Sequence, residues 1–237
     1  MAYLQEGYYS DRTVATAMPS ERVTFIQRTY GHLAGAILAF AGLETLLIMS
    51  GLGAEIVQQL FRGRSGLLVL MLLFIGGGYL AQYWARSATS RAMQYAGLAL
   101  YVVLQAVIFL PLLMLAVTQD PFIIQKAALL TLGVFAGLTM AVFMTGKDFS
   151  FMRTGLIVAA WSSIGLILVA IIFGLDLGTW FSFAMVGLAA AFIIYDTSNV
   201  MHHYRSDQYV AASLELFASV ALLFFYILRI FLNDRRN

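Results

Sequence analysis

The sequence predicts an all-α, polytopic membrane protein, a bundle of seven transmembrane helices. Three observations predict it. Of the 237 residues, 61% are hydrophobic and only 11% charged, against about 25% charged in soluble domains, and the mean hydropathy is +0.85. The apolar residues fall into seven continuous runs. The breaks between them are short stretches of glycine, proline and charge.

A helix needs about 20 mostly apolar residues to cross about 30 Å of hydrocarbon. The runs that qualify cover residues 31–50, 66–85, 92–118, 122–145, 154–175, 178–199 and 211–232. "GLGAEIVQQLFRGRS", "RSATSR", "TQDP", "GKDFSFMR" and "FGLDLG" punctuate them. Such loops are too short for an extramembrane domain. The expected organisation is a polar N-terminal tail, residues 1–27, and one transmembrane domain, residues 28–237. A membrane β-barrel would need alternating segments of about ten residues, which these runs are not. Pro111 removes one backbone bond inside the third span, so a kink is expected there. The three glycines at 76–78 allow close helix approach or local bending in the second.

The tail holds Glu6, Asp11, Arg12, Glu21 and Arg22, with no apolar run behind a basic start. The first span is therefore expected to double as the targeting signal. Lysine and arginine orient the bundle. With the N-terminus cytoplasmic, the inner segments hold Arg12, Arg22, Arg28, Arg86, Arg91, Lys147, Arg153 and Arg205, and the outer ones Arg62, Arg64 and Lys126. Arg229, Arg235 and Arg236 favour the opposite side, a conflict that a re-entrant seventh segment would remove. The short tails and loops place the protein in a bacterial inner membrane.

The net charge of +2 is too small and scattered for a nucleic-acid partner. The chain has no cysteine, which excludes disulfides, thiolate metal sites and a cysteine nucleophile. An intramembrane serine hydrolase needs a histidine at membrane depth, and His32, His202 and His203 lie at span ends or in a loop. His202, His203 and Asp196 are poorly spaced for a metal, since adjacent histidines point apart. An aspartyl protease needs two intramembrane aspartates, and Asp196 stands alone. No enzymatic activity and no bound cofactor are expected.

A charge inside a span costs about 2.5–3.5 kcal/mol on insertion scales, so each is a functional candidate. Lys126 and Arg229 lie near span ends and can snorkel. Glu44 falls about 24 Å along the first helix from Arg28 and reads as an interfacial carboxylate. Asp196 is expected in the last turn of span six and Glu215 in the first or second turn of span seven. Topology then puts both at the depth of Arg86, which ends span two, as a paired cluster. His202 and His203 follow in the loop as candidate pH modulators, histidine being the side chain that titrates between pH 5 and 8.

Five motifs, in order with the seven spans, carry a resemblance. They are "RTYGHLAGAILAF" at 28–40, "TGKDFSFM" at 145–152, "YDTSNVMHHY" at 195–204, "DQYVAASLELF" at 207–217 and "LLFFYILRIF" at 222–231. The chain resembles the Bax inhibitor-1 (transmembrane BAX inhibitor motif) family. The resemblance implies a seven-helix bundle with the last helix central. It also implies pH-sensitive calcium leak, suppression of cell death in eukaryotic members, and in one bacterial member modulation of a membrane quality-control protease. The family's implied pH sensor is an aspartate pair from spans six and seven, with an arginine of span two latching the closed state. Asp196 matches the first aspartate, and "YWAR", ending in Arg86, matches the arginine. The second aspartate is Ser219 here; Glu215, one turn earlier on the same face, falls on a further position that is acidic in some relatives.

Two functions follow as expectations. One is a calcium leak in which protonation near Asp196 loosens the latch to Arg86, with calcium as transported ion and Glu215 in place of the missing aspartate. Because calcium takes six to eight oxygens, carbonyls, water, Tyr195, Ser198 and Ser219 would have to contribute. The other is a non-conducting regulator that binds a membrane protease or another membrane protein through its tail.

Overall fold

The computed structural model describes residues 13–60, 63–87, 90–120 and 122–234, and of residues 63 and 64 the backbone alone. Arg12, Arg62, Arg235, Arg236 and the first twelve residues of the expected tail lie outside the described residues, as does the Arg64 side chain. Among the described residues eight α-helices follow one another: α1 (Pro19–Met49), α2 (Leu52–Leu60), α3 (Gly63–Ala85), α4 (Arg91–Gln119), α5 (Ile123–Thr145), α6 (Arg153–Phe173), α7 (Gly178–His202) and α8 (Tyr209–Asp234). A single 3-10 turn, Ser150–Met152, leads into α6. Every helix except α2 is long and apolar enough to cross a membrane.

Two elements differ from expectation. Residues 19–27, read as tail, are helical: Pro19 opens α1 at a position where its missing N–H costs nothing. At 31 residues α1 is about 46 Å long, more than the hydrocarbon thickness. Its first turns are thus polar because they stand outside the lipid. Residues 52–60, read as loop, form α2, with Ile56, Val57 and Leu60 half-buried and Glu55, Gln58 and Gln59 exposed.

Along α1 the buried residues are Phe25, Thr29, Leu33, Ala36, Phe40 and Glu44, steps of four, four, three, four and four that trace one helical stripe. That stripe packs on α4 and α8. In α8 burial extends around the whole helix: 78% of its most apolar stretch is inside the protein, against 44% or less for the other spans. α8 touches α1, α3, α4, α5 and α7, while α6 lies outside against α3 and α7. It is one continuous 26-residue helix, long and apolar enough to cross a membrane.

Lipid is as apolar as leucine, so close packing rather than exclusion of water holds such helices together. A knot of rings joins α1, α4 and α8: Phe109 stacks on Phe224 at 5.6 Å and meets Phe40 and Phe225 edge-on at 5.1 and 5.2 Å. Glycine sets the α3–α4 approach. A Cβ on Gly97 would lie 2.5 Å from the Ala81 carbonyl oxygen and 2.6 Å from the Ala85 nitrogen. Of the three consecutive glycines only Gly77 is tightly packed, a Cβ there falling 2.8 Å from Leu104. α4 runs unbroken through Pro111.

Glu44 is enclosed by the bundle rather than open to solvent. It is 4% exposed, and neither carboxylate oxygen has a hydrogen-bond partner among the described residues.

Candidate functional site

The ends of α3, α7 and the starts of α4, α6 and α8 meet at one end of the bundle. α7 runs on to His202, so Asp196 sits nearly two turns inside it, not in the last turn. The sequence "TSNVMH" keeps good helical hydrogen bonding to the cap at His203, whose N–H donates to the Asn199 carbonyl at 2.9 Å. Asp196 is 6% exposed. Its partner is Ser219 of α8, whose hydroxyl donates to Oδ2 at 2.5 Å.

Glu215 lies one turn before Ser219, in the second turn of α8. Its two oxygens are divided between two donors. Oε1 takes the Arg86 guanidinium in an ion pair, and Oε2 takes the Tyr204 hydroxyl. The expected latch from Arg86 to Asp196 is therefore replaced. Arg86 closes on Glu215, because the longer glutamate side chain reaches the arginine while the serine at 219 leaves Asp196 with a neutral donor. The Glu215 side chain is 17% exposed and that of Arg86 56%. Burial, and next the negative charge of Glu215, push the Tyr204 phenol well above its ordinary range, so it remains a donor.

Beside this cluster opens a cavity of about 410 Å³, lined by Arg86, Arg153, Tyr195, Asn199, His203 and Glu215 among others. The α5–α6 loop closes its far side through three contacts with the end of α7. The Phe149 N–H donates to the Ser198 hydroxyl at 2.9 Å, that hydroxyl donates to the Lys147 carbonyl at 3.5 Å, and His203 Nε2 meets Asp148 Oδ2 at 2.9 Å. The Ser150 N–H donates to the other oxygen of Asp148 and, as the largest influence, holds its carboxyl below the usual carboxylate range. His202 faces elsewhere, donating from Nδ1 to the Ser198 carbonyl.

Residues 13 and 14 fold back onto the α7–α8 turn. Thr13 forms an antiparallel bridge with Arg205, and the Val14 N–H donates to the Tyr204 carbonyl at 2.8 Å. Val14 is fully buried, and Phe25 packs its ring 6.4 Å from that of Tyr204. Tyr204, Asp148 and Val14 were not legible as site residues, although Tyr204 and Asp148 both lie within the quoted motifs. A tyrosine eleven positions before an intramembrane glutamate is the one signal that pointed to the first. Among the described residues no group of three histidine, aspartate or glutamate side chains is placed to hold a metal ion.

A family model described as inhibitor of apoptosis-promoting Bax1 matches residues 22–237. The chain is 37% identical over 113 residues to Bax inhibitor 1 of Schizosaccharomyces pombe, a match covering 46% of this chain and 41% of that relative. It therefore spans less than half of that protein's length. Against an uncharacterised protein of Pseudomonas aeruginosa the identity is 28% over 236 residues, 96% of this chain and 97% of the relative. A BI1-like protein of Arabidopsis thaliana is 28% identical over 218 residues, 87% and 79% of the two chains.

Proposed function

The chain belongs to the Bax inhibitor-1 family, and we propose on that premise that it is a proton-sensitive calcium leak whose latch is the Arg86–Glu215 pair. The carrying observation is that Glu215 binds Arg86 and Tyr204 at once, one turn from the serine that holds Asp196. These contacts tie α3, the α7–α8 turn and α7 itself to α8. Protonating Glu215 removes the charge that attracts Arg86, and protonating Asp196 changes what Ser219 must donate to. Either step loosens α8, and the adjoining cavity would then extend inward past Asp196. His203 meets Asp148 at the rim of the same cavity. Calcium would be transported cargo, met by carboxylate, hydroxyl and carbonyl oxygens and water.

The site end of the bundle carries Arg28, Arg86, Arg91, Lys147, Arg153 and Arg205, which supports assigning it to the cytoplasm and the whole chain to a bacterial inner membrane. The cations at the other end, Lys126 and Arg229, face Asp120 at 3.3 Å and Asp176 at 3.9 Å.

Calcium efflux from proteoliposomes between pH 8 and pH 6 tests the reading. Wild type should leak more as pH falls, Glu215→Gln should leak at every pH, and Asp196→Asn should lose part of the response. Equal leak from all three overturns it. One observation favours the second function, a non-conducting regulator bound by a membrane protease or other membrane protein. Thr13 and Val14 bind the α7–α8 turn, so a partner holding this segment would act directly on Tyr204. Liposomes that never leak, together with a membrane partner that co-purifies only when residues 2–12 are present, would decide for it.

A further inference from the structure

A second concavity lies away from the latch, on the lateral surface between α1 and α4. It is a groove of about 700 Å³ whose walls are mostly apolar and small: Gly31, Gly35 and Ala39 from α1 face Ala99, Val102 and Val103 from α4. From Arg28 to Leu43, its extremes on α1, the groove follows about 22 Å of helix axis, more than the ~15 Å of hydrocarbon in one leaflet. The glycines are not there to let helices touch, since a Cβ at Gly31 or Gly35 would meet nothing within 4 Å. They keep the groove open.

Arg28 lines one end of the groove, and Arg91, just outside the lining, shares its contact with Tyr209. Arg28 and Arg91 stand over the Tyr209 ring, 5.5 and 5.7 Å from its centroid. Arg91 also donates to the Tyr209 hydroxyl at 2.7 Å. Beside them His32 and Tyr95 join at 3.1 Å, and Tyr95 meets Tyr209 at 3.3 Å. Neither arginine has a carboxylate partner among the described residues, unlike Arg86, Arg205 and Arg229. Arg28 lies about 31 Å along α1 from Met49, one hydrocarbon thickness, so the cations stand at the depth of lipid headgroups.

We infer that this groove binds one anionic phospholipid, its acyl chain along Gly31, Gly35 and Ala39 and its phosphate against Arg28 and Arg91. Two guanidinium groups without a carboxylate partner among the described residues match a negative headgroup, arginine being suited to phosphate by its planar fork of donors. A second copy of the chain fits less well. Two-fold pairing through this face would bring each arginine pair against its own equivalent. This site is separate from the latch and does not rest on the proposed leak.

The full-length protein, delipidated in a neutral detergent, would be offered phosphatidylglycerol and phosphatidylcholine in equal amounts and the retained lipid counted by native mass spectrometry. Wild type should hold one phosphatidylglycerol in preference to phosphatidylcholine. Arg28→Gln and Arg91→Gln should each weaken retention about fivefold, the loss expected of one basic side chain facing an anionic headgroup, and Arg28→Lys should lose less. Gly31→Leu with Gly35→Leu fills the groove and should abolish retention of either lipid. Arg229→Gln, at the opposite end, should change nothing. Retention unchanged in both arginine variants, no preference between the two lipids, or a dimer cross-linked through position 31 overturns the assignment. The arginine variants alter only exposed side chains, so they decide the matter even if the leucine pair fails to fold.

Discussion

Arg86, one residue beyond the end of α3, and Glu215, in the second turn of α8, form an ion pair across 129 positions of sequence. The pair is asymmetric: more than half of the arginine side chain faces solvent, while the glutamate is largely enclosed and also accepts from Tyr204.

The two ways of breaking that pair should therefore differ in cost. Glu215→Gln leaves a guanidinium that water can solvate, and exposed pairs contribute little, so the loss should be about 1 kcal/mol. Arg86→Gln leaves an enclosed carboxylate without its cation and should cost about 2–3 kcal/mol. Thermal unfolding of both variants in one detergent checks the order. Equal melting temperatures would mean the pair is too solvated to act as a latch.

Ser219 is the only hydrogen-bond donor to the Asp196 carboxylate among the described residues. Ser219→Ala should cost about 1–3 kcal/mol, the penalty of an enclosed acceptor left unsatisfied. Ser219→Asp, which installs the carboxylate that the family pattern implies, should cost more at neutral pH, because it sets two like charges at contact. If Ser219→Asp instead melts higher than wild type, Asp196 already lacks its charge in this protein.

The spans were legible because lipid demands length and apolarity from each helix separately, a local property that composition reports. The ends of α1 and the existence of α2 were not. There the deciding facts are that a helix continues past the hydrocarbon boundary and that an amphipathic turn can lie between spans, and polar sequence looks the same in helix or loop. At the site, the meeting of Asp196, Glu215 and Arg86 at one end of the bundle followed from topology, but the pairing did not. Which carboxylate takes Arg86 depends on side-chain reach across a helix interface, and on Tyr204, whose partner is fixed only once the α7–α8 turn is folded. Val14 was illegible for the same reason: its contact is a backbone hydrogen bond to Tyr204, which no side-chain pattern encodes.

The α5–α6 loop should respond to acid in one direction only. Asp148 is held below the ordinary carboxylate range, first by the Ser150 N–H and further by His203. A depressed carboxyl contributes stability that is present above its unfolded value, about 3.9, and is lost as pH falls through the lower folded value. On the carboxylate side the anchor is thus constant from pH 8 to pH 5. Proteolysis at residues 146–150 should stay flat across that range and rise only below about pH 4. Asp148→Asn should raise cleavage at neutral pH to the acid level. A wild-type rise already at pH 6 would mean that the Asp148 carboxylate is not what anchors the loop.

The Val14 contact should control how firmly the α7–α8 turn holds the Arg86–Glu215 pair. Val14 is fully buried, its N–H donates to the Tyr204 carbonyl, and the Tyr204 hydroxyl reaches Glu215. One backbone bond therefore separates the N-terminal segment from the ion pair. Val14→Pro removes that donor at a cost of about 1 kcal/mol, while Val14→Asp places an unpaired charge where no solvent reaches and should detach the segment outright. Hydrogen exchange of the amides at 203–208 reads the effect: faster in the proline variant, faster still in the aspartate variant, with α3 and α5 unchanged. Exchange at wild-type rates in both variants would mean that the segment rests on the turn without restraining it, and that Glu215 holds Tyr204 unaided.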